Sequence, residues 1–540
     1  MRSRSVAALL LVVVAVACSD SGPAKPAAAA RARAERVASK PVAVRLKNQL
    51  QTLNYILHTD DAERIVLSFV YEPLIGLSAD LQPVPALASR WEISGDHRTY
   101  TLYLDPRATF SDGRPVLASD VVFTLNKIVT TPSIQFASWF DAMDRERTKA
   151  LDERTVRVVF KQARVAQLLA FTVAVMPEHV FGRGDLTKND AVVGSGPYIV
   201  KRRDSDGVLL EARENYWREK PSIRSLLFRT VADDGVAWLG LGRGDLDAGQ
   251  ITNDTWAHAK AQPELRTKLR FVNVWLLSYN CIGWNLKHEL FREARVRRAL
   301  AMAFDRRAVI ESLYHGEARA VTGPFTPDQW ANDPTVDGIE FDAAGARAEL
   351  AAAGWRDSDK DGVLDRNGKP FAFTLLIPSG NAARDQAVIF QSALQSVGVR
   401  MEIGTMEGAA FFDRVLAGNF DAAFFSWVNE PDPDPYGLFH SSQKAPSGLN
   451  VVGYENKRAD ELMELARTEF DPARRAALYH DLHSILARDQ PYLWIVQVAT
   501  KWAVATRLQH VDPSRGVGLF HHYPGPFAWR VDEPQRERAR

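Results

Sequence analysis

Past about residue 290 the chain alternates helix-length and strand-length apolar patterns, and this alternation restricts the fold more than any other feature of the sequence. Val296, Ala299, Leu300, Ala303 and Phe304 recur at helical spacing, and Asp305 is placed to cap a second helix that runs to Tyr314 and stops at Gly316. Beyond it, 371–377, 399–403 and 420–427 read as strands, and 383–397 and 409–416 as the helices between them. Strands separated by helices favour an α/β sheet with helical crossovers. Two more helices follow at 458–468 and 472–488, the latter with Asp471 as cap and Pro472 at its first position. The texture from about 70 to 190 is different. Short strand-like runs at 99–104 and 155–160 flank a single helix, capped by Ser119 or Asp120 and carrying Val122, Leu125, Ile128 and Val129, which predicts a separate α+β unit. A chain of 540 residues exceeds what one core serves, so two or three domains are expected.

The N-terminus decides the compartment. Arg2 and Arg4 precede an unbroken apolar run at 6–16, and Ala15-Val16-Ala17 leads into Cys18. This is the pattern of a secretory signal at 1–17, and the run is shorter than the roughly 20 residues a membrane-spanning helix needs. The residues before Cys18 resemble a bacterial lipobox, with Ala15 where Leu is commoner, so lipidation of Cys18 is expected. Residues 18–42, rich in Ala, Pro and Arg, would then tether the body to a membrane. The remaining cysteine, Cys281, lies in the apolar stretch 275–284 and reads as a buried, inert thiol, with no disulfide framework. The 67 basic and 66 acidic side chains leave no one-sign field to draw nucleic acid.

The most chemically loaded stretch follows the predicted strand at 420–427: Trp427, Val428, Asn429, Glu430, Pro431, Asp432, Pro433, Asp434, Pro435 and Tyr436. Ligands gather at the carboxyl ends of strands in open α/β sheets, and prolines between three carboxylates make a stiff, acceptor-rich loop. The bland alternative is a solvated Pro-Asp turn. A second acidic run, from Asp357 to Asp365, follows the first nine positions of a calcium loop, but Gly368 stands where a bidentate Glu belongs, so no metal site is expected. The twelve histidines do not cluster apart from His521-His522, and no cofactor fingerprint appears. Nucleophile-elbow, zincin and Cys-x-x-Cys signatures of a secreted hydrolase are also missing from the sequence.

Several separated motifs carry a family likeness. They are Tyr71-Glu72-Pro73-Leu74, Pro85-Ala86-Leu87-Ala88 with Trp91-Glu92, Thr99-Tyr100-Thr101-Leu102, Phe110-Ser111-Asp112-Gly113-Arg114-Pro115, Ala118-Ser119-Asp120-Val121-Val122-Phe123, Gly194-Ser195-Gly196-Pro197-Tyr198, Asn215-Tyr216-Trp217, Val296-Arg297-Arg298-Ala299-Leu300 and Asp489-Gln490-Pro491. In this order, from about 46 to 511, the chain resembles the family 5 extracellular solute-binding proteins, the dipeptide, oligopeptide and nickel binders of ABC importers. The resemblance implies a two-lobed, periplasmic-binding-protein-like α/β fold. Lobe I would comprise 43–74, 190–275 and 500–535, lobe II 276–499, with an α+β domain inserted at 75–189. It also implies a hinge that closes on a small ligand, most simply a peptide, delivery to ABC permease subunits, no catalysis, and an exported, lipid-anchored location facing the periplasm or cell exterior. In the peptide-binding relatives an acidic residue of the loop holds the ligand's α-ammonium, which falls nearest Glu430 or Asp434 here. Trp427, Asn429, Asp432 and Tyr279 are expected beside it, and Trp275, Trp284 and Trp330 near the cleft. A sugar or a metal chelate stands as the alternative ligand.

Overall fold

The computed structural model describes residues 40–58, 60–131, 137–183 and 191–532. The signal segment, Cys18 and nearly all of the tether lie outside them.

A twelve-stranded sheet organises both lobes. Its order is Arg400–Met406, Ala372–Pro378, Ala422–Val428, Ser278–Trp284, Tyr492–Ala505, Ala248–Ile251, Val42–Leu46, Ser225–Thr230, Gly207–Ala212 and Tyr198–Asp204, with Leu269–Trp275 and Ala318–Ala320 also paired to the long strand Tyr492–Ala505. That strand belongs to both lobes. Its first half pairs antiparallel with Ser278–Trp284 (Cys281 opposite Trp494), and its second half with Ala248–Ile251 and Leu269–Trp275 (Gln250 and Val272 opposite Trp502). The neighbouring chain makes the same crossing through residues 276–277, and Gln497 Nε2 donates to the Leu276 carbonyl at 2.9 Å where the two run side by side.

The alternation past residue 290 forms as read. Asn381–Ser396 connects two parallel strands, Ala372–Pro378 and Arg400–Met406, and Gly408–Leu416 leads to a third, Ala422–Val428. Asp305 and Asp471 cap their helices by accepting from Ala308 and Arg474 amides. At Ala118–Thr130 the cap differs from expectation. Leu117 is the N-cap residue, and Asp120, a turn inside, accepts both the Leu117 and Glu178 amides at 2.8 Å, tying the helix start to a neighbouring segment. This helix packs on a separate sheet (Ala88–Ile93, Thr99–Leu104, Thr155–Val159, Lys149–Ala150), and the two share a core of their own around Tyr100, Leu125, Phe140 and Phe171.

The residues that carry the family likeness hold these parts together. Glu72 accepts from Tyr216 Oη at 2.6 Å and Trp217 Nε1 at 2.8 Å. Buried Arg213 donates to carbonyls of Phe110, Ser195 and Gly196. A Cβ at Gly194 or Gly196 would come within 2.0 or 2.5 Å of carbonyl oxygens at the end of the Asp61–Val70 helix, so only glycine lets this segment approach the helix end. In lobe II the guanidinium of Arg297 reaches the Asp489 and Gln490 carbonyls, and Gln490 ends the last helix in the left-handed conformation.

Candidate functional site

Between lobe II and the facing surface of lobe I and the inserted domain lies a cleft of three connected compartments, of about 690, 240 and 510 Å3, all bordered by Pro431. The loop that begins at Trp427 forms one wall. It leaves the carboxyl end of Ala422–Val428, a strand buried from Ala422 to Phe425 that surfaces over its last residues. Its backbone is braced from below. The Asn429 amide donates to the Leu277 carbonyl at 2.6 Å, Asn429 Nδ2 donates to the Pro324 carbonyl and to Gln329 Oε1, both at 2.7 Å, and Tyr479 Oη donates to the Pro433 carbonyl at 2.9 Å.

The three carboxylates of the loop are not equivalent. Asp432 pairs with Arg475 at 2.6 Å, and Asp434 with Arg467 at 2.9 Å, whose guanidinium also lies 4.0 Å over the Tyr436 ring. Glu430 forms no ion pair among the described residues and borders both the largest and the smallest compartment. Its side chain is open to cleft water, yet protein on both sides of the gap removes enough solvent to raise its pKa, an effect that Arg64 across the smallest compartment opposes. Burial likewise raises Asp432, outweighing its pairing with Arg475. A carboxylate held in a partly dry cleft with no cation of its own is suited to a cationic group brought by a ligand.

Of the aromatic residues expected near the ligand, Trp427 lines the main compartment, stacked on Phe425 with ring centres 5.2 Å apart, and Trp330 lines the 510 Å3 compartment. Tyr279 does not reach the cleft. It is 1% exposed and packs against Trp494, because Ser278–Trp284 is an interior strand paired along both edges and the face that carries Tyr279 is covered by a core that includes Phe425, Phe439 and Trp494. Trp284 is likewise core, and Trp275 packs under the Arg319 guanidinium at 3.9 Å beside the lobe crossing. Cys281 is buried, and burial pushes its thiol well above the usual range. Arg64, Trp139 and Arg164 line the cleft without having been singled out from sequence, since each comes from a segment far from the loop, and Leu449 and His521, the latter noted only as half of a histidine pair, line it too. The smallest compartment gathers His58, His521 and His522, whose pKa values burial lowers from the usual imidazole range. Outside the residues that line the cleft, exposed carboxylates of Asp357, Asp359 and Asp361 lie within 4.8 Å of one another, while the Asp365 carboxylate accepts from the Ser358 amide and hydroxyl.

Two lobes joined by crossing strands, with a stiff loop exposing one unpaired carboxylate in the gap between them, define a ligand-capturing protein. Residues 82–448 match the family profile of bacterial extracellular solute-binding proteins, family 5 (middle region), and the chain belongs to that family. It is 29% identical over 470 residues to the oligopeptide-binding protein AppA of Bacillus subtilis, covering 84% of this chain and 86% of the relative. To di/tripeptide-binding protein 2 of Pseudomonas aeruginosa it is 28% identical over 439 residues, 76% of this chain and 80% of the relative. The solved structure of Bacillus subtilis AppA in complex with a nonapeptide superposes with a TM-score of 0.78 at 26% identity, covering 91% of this chain and 99% of that one. Members of the family are extracellular or periplasmic, and no helix among the described residues is long and apolar enough to cross a membrane.

Proposed function

We propose that the protein captures a peptide in the interlobe cleft by holding its α-ammonium on Glu430, and passes it to the permease of an ABC importer without chemical change. The observation that carries this reading is the unequal state of the three loop carboxylates: Asp432 and Asp434 already have arginine partners, and Glu430 does not. The peptide-binding relatives support the ligand class. Closure is assigned to the paired crossings at 276–277 and 497–500, which bend together while each lobe keeps its own core. The lipid is assigned to Cys18, outside the described residues, and the segment after it to a tether holding the body near the permease.

Calorimetry against a mixture of short free-amine peptides and their N-acetylated counterparts tests the site. Acetylation, or Glu430→Gln, removes one half of a charge-assisted bond and should weaken binding by about 2–5 kcal/mol. Asp434→Asn, which alters a carboxylate already satisfied by Arg467, should change affinity little. Equal binding of free and acetylated peptides by the wild type would exclude the ammonium role of Glu430.

A further inference from the structure

The charges around the two larger compartments close on one another. In the 690 Å3 compartment Asp141 pairs with Arg164 at 2.9 Å and Asp434 with Arg467 at 2.9 Å. Along the 510 Å3 compartment Asp432 pairs with Arg475 at 2.6 Å, Asp328 with Arg319 at 2.8 Å and Asp80 with Arg515 at 3.4 Å. Among the described residues lining these two compartments, Glu430 is the only charged group outside an ion pair. The same walls carry large apolar side chains left open to solvent. Val428 is 73% exposed and Leu449 46% in the first compartment, and Trp330 is 42% exposed in the second.

From this pairing and these open apolar surfaces we infer that the preferred ligands are peptides whose side chains are uncharged and largely apolar. The inference rests on the peptide reading above and adds to it a selectivity that Glu430 alone does not provide. A ligand lysine or glutamate side chain entering either compartment leaves water without meeting a free countercharge, or must break a pair that already exists. A leucine or phenylalanine side chain instead covers Val428, Leu449 or Trp330 and removes apolar surface of both partners from water. Selectivity against charge therefore comes from satisfied ion pairs rather than from a repelling group, and it applies to both signs of charge.

The test is a panel of free-amine pentapeptides built on alanine, with Leu, Phe, Lys or Glu placed at one position at a time after the first, titrated into the full-length protein by calorimetry. Leu and Phe peptides should bind more tightly than the all-Ala parent. At one position or more, Lys and Glu should both bind at least about 30-fold more weakly than Leu. Val428→Asp, at a solvent-open strand end where folding is not at stake, supplies a free carboxylate and should raise the affinity of a Lys peptide relative to its Leu counterpart. If Lys and Glu peptides bind within about threefold of Leu at every position, this inference fails while the peptide reading stands. If no free-amine peptide of the panel binds, the peptide reading fails and the inference with it.

Discussion

Arg475 is the best place to ask how the site is held rigid. Its side chain is 6% exposed, it donates from Nη1 to Asp432 and from Nε to the Ala466 carbonyl at 2.9 Å, and it lies 5.0 Å from the Trp330 ring. Arg475→Leu keeps most of the apolar volume and strands Asp432, whose side chain is only 14% exposed. The stranded carboxylate can escape by taking up a proton. For an aspartate with an unfolded pKa of about 3.9, protonation at pH 7 costs about 4 kcal/mol, and at pH 5 about 1.5 kcal/mol, at 1.36 kcal/mol per unit. These are ceilings, lowered by whatever burial already costs with Arg475 in place, since Asp432 is raised even in the pair. Denaturant unfolding should therefore show a loss of about 2–4 kcal/mol at pH 7 that shrinks toward pH 5. Adding Asp432→Asn in the Arg475→Leu background should restore at least half of the loss. A loss that does not depend on pH, or a double variant no more stable than Arg475→Leu, would refute the reasoning and assign the effect to packing against Trp330 and Tyr479.

Three further outcomes are expected. Because Glu430 must be ionised to hold an ammonium and its pKa is raised by burial, peptide affinity should fall on acidification beginning above the usual carboxylate range, and binding there should release protons, seen as a dependence of the calorimetric enthalpy on the buffer. His483 is fully buried, accepts the Asp333 amide at Nδ1 (3.1 Å) and meets Thr322 Oγ1 at Nε2 (2.9 Å), and burial lowers its pKa to about 4. A depressed histidine contributes stability that is present above its unfolded pKa of about 6.5 and lost as pH falls toward 4, a loss of about 3 kcal/mol that thermal melts should lack in His483→Gln. The His97 ring, on a turn of the inserted domain, stacks on Phe470 of lobe II at 3.7 Å, beside a 3.0 Å hydrogen bond from the Val165 amide to the Arg467 carbonyl. Phe470→Ala removes a contact worth about 0.5–1.5 kcal/mol and should favour the open form, raising the peptide dissociation constant by roughly 2- to 12-fold and increasing the radius of gyration in solution scattering.

The helices and strands that were read past residue 290 were legible because their signals are local, whereas the helix Ala343–Ala352 and the long strand Tyr492–Ala505 went unread. A cap such as Asp471 and an apolar stripe act within a few residues of each other, and the structure places most of those elements within a residue or two of the reading, with Arg400–Met406 running three residues past it. The loop at 427–436 was legible as a place, since a strand that ends in a run of prolines and acids must surface. What could not be read was the ranking of its carboxylates. In sequence Glu430, Asp432 and Asp434 look alike, and the arginines that neutralise two of them come from helices more than thirty residues later. One hint was present: Arg475 falls on the same stripe as Tyr479, Leu482 and Leu486, and a guanidinium on a buried face implies a partner. Tyr279 was misplaced for the complementary reason. Proximity in sequence to a cleft segment does not tell which strands are covered on both faces, and that depends on the cores packed above and below the sheet, here one around Ile282 and Trp284 and another around Tyr279 and Cys281.

The strand Tyr492–Ala505 also sets the order in which the chain can fold. It is among the last segments to be synthesised, yet it lies in the middle of the sheet, so neither lobe has a complete set of neighbours until it arrives. At a ribosomal rate of about 5–20 residues per second, Val42–Leu46 waits roughly half a minute to a minute and a half for this strand to be made. The domain around Tyr100 and Phe140 draws its core from residues 56 to 217 and has its sheet partners long before that strand is made. The topology itself postpones completion of both lobes until nearly all of the segment from Val42 to Ala505 has been made.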